Sequence, residues 1–386
     1  VGTPVPNYPT YLDYTATTPI DSEVAEAMLP YLYEHFGNPS SAHLYGRVAH
    51  KAVEDARQQV ATLLNCHPAE VVFTSGGTES NNMVIKGVAE ARRAEGRHII
   101  TSAVEHPAVL EPARVLARQG YDVTILPVDE YGMVSVREVE KALTPGTILV
   151  SIMMANNEVG TLQPIAEIAE LAHAHGALVH TDAAQAVGKV PVDVAALGVD
   201  FLTVAGHKLY APKGIGALFL RSGIVLPKFM HGASHEDNRR AGTENVLEIV
   251  GLGKAAEVAQ RGLEQNANHM RAMCDRLYEG LLAKLEGVRR NGHPRQCLPN
   301  TLSVSFQGVQ ANTLLERISG LVAASAGAAC HDDQVTVSAV LSAMGVPLDF
   351  AMGTVRLSVG KFTTQAEVDT AIQCIAEAVQ VLRASG

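Results

Sequence analysis

Phe201-Leu202-Thr203-Val204-Ala205-Gly206-His207-Lys208 is an apolar run that ends in a glycine, a histidine and a lysine. Five uncharged residues, short and rich in β-formers, suit a strand buried on both faces. The lysine then stands at the carboxyl end of that strand, where open α/β sheets collect their ligands. Leu178-Val179-His180-Thr181-Asp182-Ala183-Ala184-Gln185 has the same form, with an acid at its end. Working outward, strands are expected near residues 71–75, 98–102, 121–128, 147–154, 178–181, 201–205 and 216–221. Helical patterns such as 80–94 and 165–175 lie between them. Strand and helix in alternation predict an α/β fold, a mostly parallel seven-stranded sheet with flanking helices. From Val246 the pattern changes. A long amphipathic stretch reaches about Leu285. Beyond it, 300–306 and 354–359 read as strands and 310–319 and 365–383 as helices, which predicts a smaller α+β domain.

The chain has 386 residues, 47% hydrophobic and 18% charged, with a net charge of −10. That describes a globular protein with a large core. No basic face for nucleic acid or anionic lipid is expected. No apolar run approaches the ~18–20 residues that span a bilayer, and no basic, apolar, small-residue leader pattern is present. The five cysteines are odd in number and form no CxxC pair. Neither a disulfide framework nor a metal site is expected, and a cytoplasmic location fits best.

Lys208 alone reads as a solvated cation. Paired with Asp182 it becomes an amine that can form an imine beside a carboxylate that can hold a protonated pyridine nitrogen, the minimum equipment for pyridoxal phosphate. Phosphate needs a home as well. Phe73-Thr74-Ser75-Gly76-Gly77-Thr78-Glu79-Ser80 leaves a strand, turns on two glycines and enters a helix, an arrangement whose N–H groups bind anions. Thr78 is either a phosphate ligand or simply the helix N-cap. His207 is in reach of the same phosphate. His106 either lies flat on a cofactor ring or caps the helix after 98–102. Asn156 and Asn157 either hold a substrate group or form a turn. Arg356, on an alternating strand, either grips a carboxylate with two parallel bonds or makes an ordinary ion pair.

Nearly the whole chain resembles the cysteine desulfurase and selenocysteine lyase family of class V, fold-type I pyridoxal phosphate enzymes. The resemblance rests on Leu12-Asp13-Tyr14-Thr15-Ala16-Thr17-Thr18-Pro19, Gly37-Asn38-Pro39-Ser40-Ser41, the glycine turn, Glu105-His106 and the Asn156 segment. It continues through Thr181 to Lys189, Gly206 to Gly216, Arg240 to Asn245, Ala324 to Cys330 and Arg356 to Gly360. The resemblance implies a pyridoxal 5′-phosphate cofactor bound by Gly77, Thr78, Asn157, Asp182, Gln185, His207 and Lys208. Gln185 is implied as the donor to the ring hydroxyl. It implies Thr243 as a phosphate ligand of the neighbouring subunit, hence a homodimer. Asn157 and Arg356 are implied as holders of the substrate carboxylate. Lys208, His106 and Cys330 are implied as the catalytic set. Cys330, after the small-residue run Ala323-Ala324-Ser325-Ala326-Gly327-Ala328-Ala329, is similar to a mobile-loop cysteine that takes sulfur from cysteine and leaves alanine.

The implied division is a large cofactor domain over 15–255 and a small domain over 1–14 and 256–386, carrying Cys330 and Arg356. The function read from all this is removal of sulfur or selenium from L-cysteine or L-selenocysteine, passed to an acceptor protein. Other readings remain: β-elimination or transamination of a related amino acid, or an inert sulfur-carrier scaffold. Ala329-Cys330-His331-Asp332 and Met344-Gly345-Val346-Pro347 resemble the selenocysteine lyase branch. Three positions depart from the family. Ala205 stands where it has a serine that contacts phosphate. Pro107 stands where the selenocysteine lyase branch has an acid. Gly232-Ala233-Ser234-His235-Glu236-Asp237 replaces a glycine-rich, glutamine-containing loop. The last two are expected near the substrate.

Overall fold

The computed structural model describes residues 8–331 and 334–385, with backbone alone for 328–331, 334–336 and 385. A short strand, β1 (Thr10–Tyr11), is followed by β2 (Val71–Thr74), β3 (His98–Ser102), β4 (Asp122–Leu126), β5 (Thr147–Ser151), β6 (Leu178–Asp182), β7 (Phe201–Ala205) and β8 (Gly216–Leu220). β2 to β8 form one seven-stranded sheet in the order β2-β8-β7-β6-β5-β3-β4. β8 pairs antiparallel with β2 and β7, and every other pair is parallel. All seven expected strands are present.

The helices up to the end of this region are α1 (Ser22–Tyr33), α2 (Leu44–Leu64), α3 (Gly77–Ala91), α4 (Pro107–Arg118), α5 (Val136–Ala142), α6 (Ile165–Ala174) and α7 (Val194–Leu197). Alternate residues of each strand supply the two faces of the sheet. Val72, Ile99, Phe201 and Leu218 pack against Met83, Val88, Val109 and Leu116 of α3 and α4. Val71, Phe73, Ile100 and Leu202 pack on the other side with Val24, Val53, Ile168 and Val194 of α1, α2, α6 and α7.

Two boundaries differ from expectation for local reasons. β5 ends at Ser151 rather than residue 154, because the Met153 N–H is taken by the Glu105 carboxylate instead of a strand. α3 begins at Gly77, three residues before the expected start at 80. Its N-cap is Gly76, at φ 146°, and not Thr78. Only glycine adopts that conformation without strain. β8 also crowds this turn, since a Cβ on Gly216 would lie 2.7 Å from the Gly76 Cα.

After the sheet, α8 (Val246–Leu282) runs 37 residues, about 55 Å at 1.5 Å per residue. The smaller unit contains β9 (Val288–Asn291), β10 (Thr301–Phe306), β11 (Val322–Ala323), β12 (Ser325–Ala326), β13 (Ala328–His331), β14 (Gln334–Val337) and β15 (Thr354–Ser358). Its helices are α9 (Ala311–Ile318), α10 (Ala339–Ala343), α11 (Leu348–Ala351) and α12 (Gln365–Ser385). β12-β15-β10-β9 form an antiparallel sheet, β13 and β14 a hairpin, and β1 pairs parallel with β11. Leu12, Leu277, Leu302, Phe306, Leu357 and Val379 belong to the core of this unit. We propose the expected division at 15–255 and 1–14 with 256–386 on the strength of these separate cores. α8 is shared: Ile249 and Leu252 lie in the large core, Met270 and Leu277 in the small one.

One buried group makes the fold pH-sensitive. His180, fully buried on β6, lies 2.8 Å from Ser151 Oγ and 3.1 Å from Thr203 Oγ1. Burial pushes its pKa down to about 3, while the unfolded chain takes up a proton near the usual value of about 6.5. Its contribution to stability is therefore present above about 6.5 and is lost as the pH falls from there toward the folded pKa. The urea midpoint is expected to decline across that window, less steeply in His180→Gln. Equal slopes in the two proteins would rule out the imidazole as the cause.

Candidate active site

The carboxyl ends of β3, β5, β6 and β7 and the start of α3 surround a cavity of about 290 Å³. Gly77, Thr78, His106, Asn157, Asp182, Gln185, His207, Lys208 and Arg356 all line it. These are the site residues expected from the sequence, apart from two. Thr243 does not line the cavity of its own chain. The Cys330 side chain lies outside the described residues; its backbone is in β13, paired with Val335 of β14.

Asp182, at the end of β6, is buried on the cavity floor. Its Oδ2 accepts from Asn81 Nδ2 at 2.7 Å and its Oδ1 from the Ala184 N–H at 3.0 Å. Both bonds fix the carboxylate's direction. Gln185 donates Nε2 to the Thr15 carbonyl at 3.0 Å, so its open group is the acceptor Oε1 and not the donor expected for a ring hydroxyl.

Lys208 follows β7. Its Nζ donates to the carbonyls of Thr15 and, at 2.7 Å, Ala16. Burial first, then the nearby Arg356 charge, push its pKa down to about 8, against the opposing pull of Asp13 and Asp182. A useful fraction is thus neutral, and the neutral amine is the nucleophilic form. His207 is pushed down to about 4 by burial and by Lys208, Lys213 and Lys189. That electropositive surrounding suits an anion even with the imidazole neutral.

His106 caps a helix and faces the cavity at once. Nδ1 caps α4 by accepting from the Ala108 N–H at 3.1 Å, while the ring lines the cavity. Burial, assisted by Lys208 and opposed by Asp182, lowers its pKa. Pro107 behind it is the first residue of α4, the position in a helix that tolerates proline best. Glu105 anchors the same loop from below. It accepts from Ser102 Oγ at 2.6 Å and from the Met153 N–H at 3.0 Å, and burial pushes its carboxyl up to about 8.

The paired asparagines divide their work. Asn156 is buried and forms the turn, accepting from the Glu158 and Val159 N–H groups at 2.8 and 2.9 Å. Asn157 faces the cavity. Its carbonyl accepts from Arg356 Nη1 at 3.1 Å. Arg356 also pairs through Nη2 with Asp13 Oδ1 at 2.9 Å, while its Nε is buried without a partner. Of the two expected roles the structure shows the ion pair, and it holds the guanidinium at the cavity wall.

The 232–237 loop, expected near the substrate, contributes nothing to this chain's cavity, and neither does Pro107. Instead Glu236 turns inward. It pairs with Arg57 at 2.8 and 2.9 Å and accepts from the Phe73 N–H at 2.9 Å. Ala205 does line the cavity, and its methyl would stand 3.5 Å from a Cβ placed on Gly77. Asp13, Asn81 and Glu105 have roles in orientation that the sequence does not announce. Among the described residues no group of His, Cys, Asp and Glu could hold a metal ion, and no helix is long and apolar enough to cross a membrane.

A cavity at the strand ends with a depressed lysine, a fixed carboxylate and a glycine turn defines a class, and comparison with known proteins agrees. The chain belongs to the aminotransferase class-V family, whose profile matches residues 10–370; that family is generally pyridoxal phosphate-dependent. It is similar to cysteine desulfurase IscS of Methanosarcina thermophila, 47% identical over 378 residues, 98% of this chain and 93% of that one. It is similar to the cysteine desulfurase of Mus musculus, 43% identical over 95% of this chain and 81% of that one. Among solved structures, a NifS-like protein superposes with a TM-score of 0.90 at 39% identity, covering 96% and 99% of the two chains. SspA in complex with cysteine superposes with a TM-score of 0.80 at 36% identity, covering 92% and 99%.

Proposed function

We infer that this protein removes sulfur from L-cysteine with the aid of pyridoxal 5′-phosphate and releases L-alanine. The observation that carries this reading is the convergence of Lys208, Asp182, His106 and Arg356 on one cavity in a chain similar to cysteine desulfurases over nearly its full length.

The residues fit the cofactor. Gln185 Oε1 and Asn81 Oδ1 are buried polar atoms with no partner in the protein, and buried polar atoms demand one. Asp182 would hold the pyridine nitrogen, with Gln185 beside the ring hydroxyl and His106 against the ring. Gly77, Thr78 and His207 would hold the phosphate, joined by Thr243 from the second copy of a homodimer. Bound there, the cofactor supplies an electron sink for charge on the substrate carbons.

Arg356 and Asn157 hold the amino acid's carboxylate. Lys208 would hold the cofactor and move the proton at the substrate carbon. The Cys330 thiolate then attacks the substrate sulfur. A sulfur–sulfur bond forms, the carbon–sulfur bond breaks, and its electron pair stays with the substrate carbon, which is protonated to alanine. Cys330 leaves as a persulfide, for transfer to an acceptor protein thiol. Selenocysteine is a second substrate on the same scheme, and the cytoplasm a suitable compartment for a free thiol.

Product analysis tests the reading: cysteine should yield alanine and, with a thiol reductant, sulfide in equal amounts. Pyruvate in place of alanine would instead support β-elimination. A separate test addresses Arg356. Arg356→Lys keeps the charge but loses the fork. The KM for cysteine is expected to rise about tenfold, the worth of one charge-assisted bond, with cofactor content unchanged. An unaltered KM would leave Arg356 as only the partner of Asp13.

A further inference from the structure

The glycine turn is held from outside the cavity by a charge pair that the reaction does not use. Glu79 lies in the first turn of α3. Its Oε2 accepts from the Ser75 N–H at 2.7 Å and from Arg240 Nη2 at 3.2 Å, and its Oε1 accepts from Arg240 Nε at 2.9 Å. The two side chains are only 8% and 19% exposed. Burial works against the Glu79 carboxylate, but Arg240 and the Ser75 bonds outweigh it and lower its pKa, so the acid is ionised.

An ionised carboxylate in this position has two opposite effects. By capping the Ser75 N–H it fixes the backbone of the turn. Its negative charge also offsets the positive end of the α3 dipole, the same end that would receive a phosphate. Arg240 cancels that charge with a two-point grip and leaves the cap in place. The segment that presents Arg240 is itself unusual. Glu236, Asp237 and Asn238 have φ of 48°, 52° and 67°, a conformation that side chains other than glycine's rarely adopt. It is held there by the buried Glu236–Arg57 pair, and Glu236 also accepts from the Phe73 N–H, at the strand that leads into the turn. The segment thus grips the turn at both ends, Phe73 on one side and Glu79 on the other.

We propose that Glu79 and Arg240 are positioning residues for the cofactor phosphate: Glu79 shapes turn 75–78, and Arg240 keeps that turn electrically receptive to an anion. The proposal rests on the reading of this turn as the phosphate site. It gives Arg240 a role toward its own chain's cavity, and it makes loop 232–240 part of the phosphate machinery without touching the ligand.

The test is titration of the cofactor-free protein with pyridoxal 5′-phosphate and with pyridoxal, which lacks the phosphate, followed by absorbance. Wild-type protein should prefer the phosphorylated form. Arg240→Gln should weaken that form by about tenfold, the effect of an uncompensated charge beside an anion, and leave pyridoxal binding unchanged. Adding Glu79→Gln should restore most of the loss. Arg240→Lys, which keeps the charge, should bind nearly as wild type and serves if the glutamine variant does not fold. Equal weakening of both ligands by Arg240→Gln, or no recovery in the double variant, would overturn the proposal. A wild-type protein with no preference between the two ligands would overturn the phosphate-site reading first and the proposal with it.

Discussion

Lys208→Ala is expected to reduce turnover by at least about 10³-fold, because on the proposed scheme it removes both the covalent attachment of the cofactor and the group that moves the proton. The purified variant should also lack the visible absorbance of the wild-type enzyme, while its fold persists. Another lysine lies close by, but Lys189 is buried and donates to the Gln185 carbonyl at 3.0 Å, outside the 290 Å³ cavity. It cannot substitute without breaking that contact. The environment of Lys208 adds a pH signature. Its amine is pushed down to about 8 by burial and by Arg356, and only the neutral amine attacks a carbonyl. Recombination of cofactor-free protein with pyridoxal 5′-phosphate should therefore accelerate as pH rises through about 8, well below the ordinary lysine range near 10.4. A wild-type protein that stays colourless after reconstitution, or a variant that keeps the band, would refute the assignment.

Cys330→Ala is expected to abolish alanine formation from cysteine and to leave a measurable fraction with selenocysteine. Taking sulfur from carbon requires a soft nucleophile that can carry the product away, and a thiolate meets both demands. Selenium departs more readily from carbon, since a selenol is more acidic and a better leaving group, so the thiol matters less. The other cysteines are poor substitutes. Cys66 and Cys274 are both pushed up to about 12, chiefly by burial, and neither lines the cavity. Full activity on cysteine in the variant, with pyruvate as the product, would remove Cys330 from the mechanism and favour elimination.

The sheet was legible because all its strands but the edge strand β4 are buried almost throughout and so appear as short, mainly apolar runs. Lys208 and Asp182 were legible for a related reason: each is a charged residue at the carboxyl end of such a run. What pairs with them was not. Asn81 reaches Asp182 across 101 residues, and Asp13 reaches Arg356 across 343. Spacing along the chain encodes the period of an element, not its neighbours in space. The true start of α3 was hidden because its cap is the backbone conformation of Gly76, with no capping side chain to advertise it. Loop 232–237, expected near the substrate because it replaces a loop of the family it resembles, does not line this chain's cavity, and Glu236 is spent on a buried pair with Arg57.

α8 is buried near both ends and only partly covered between them. From residue 260 to 269 no residue is buried, and Gly262 lies within that stretch. A rod clamped in two blocks yields where it is least packed, and here single polar contacts hold it, Arg261 to Glu23 and His269 to the Thr363 carbonyl. Any tilt of the block that carries Arg356 against the block that carries Lys208 would thus be absorbed in those three turns of helix. No residue of that stretch lines the 290 Å³ cavity, so changes to its sequence would retune the opening of the cavity without altering a group that lines it.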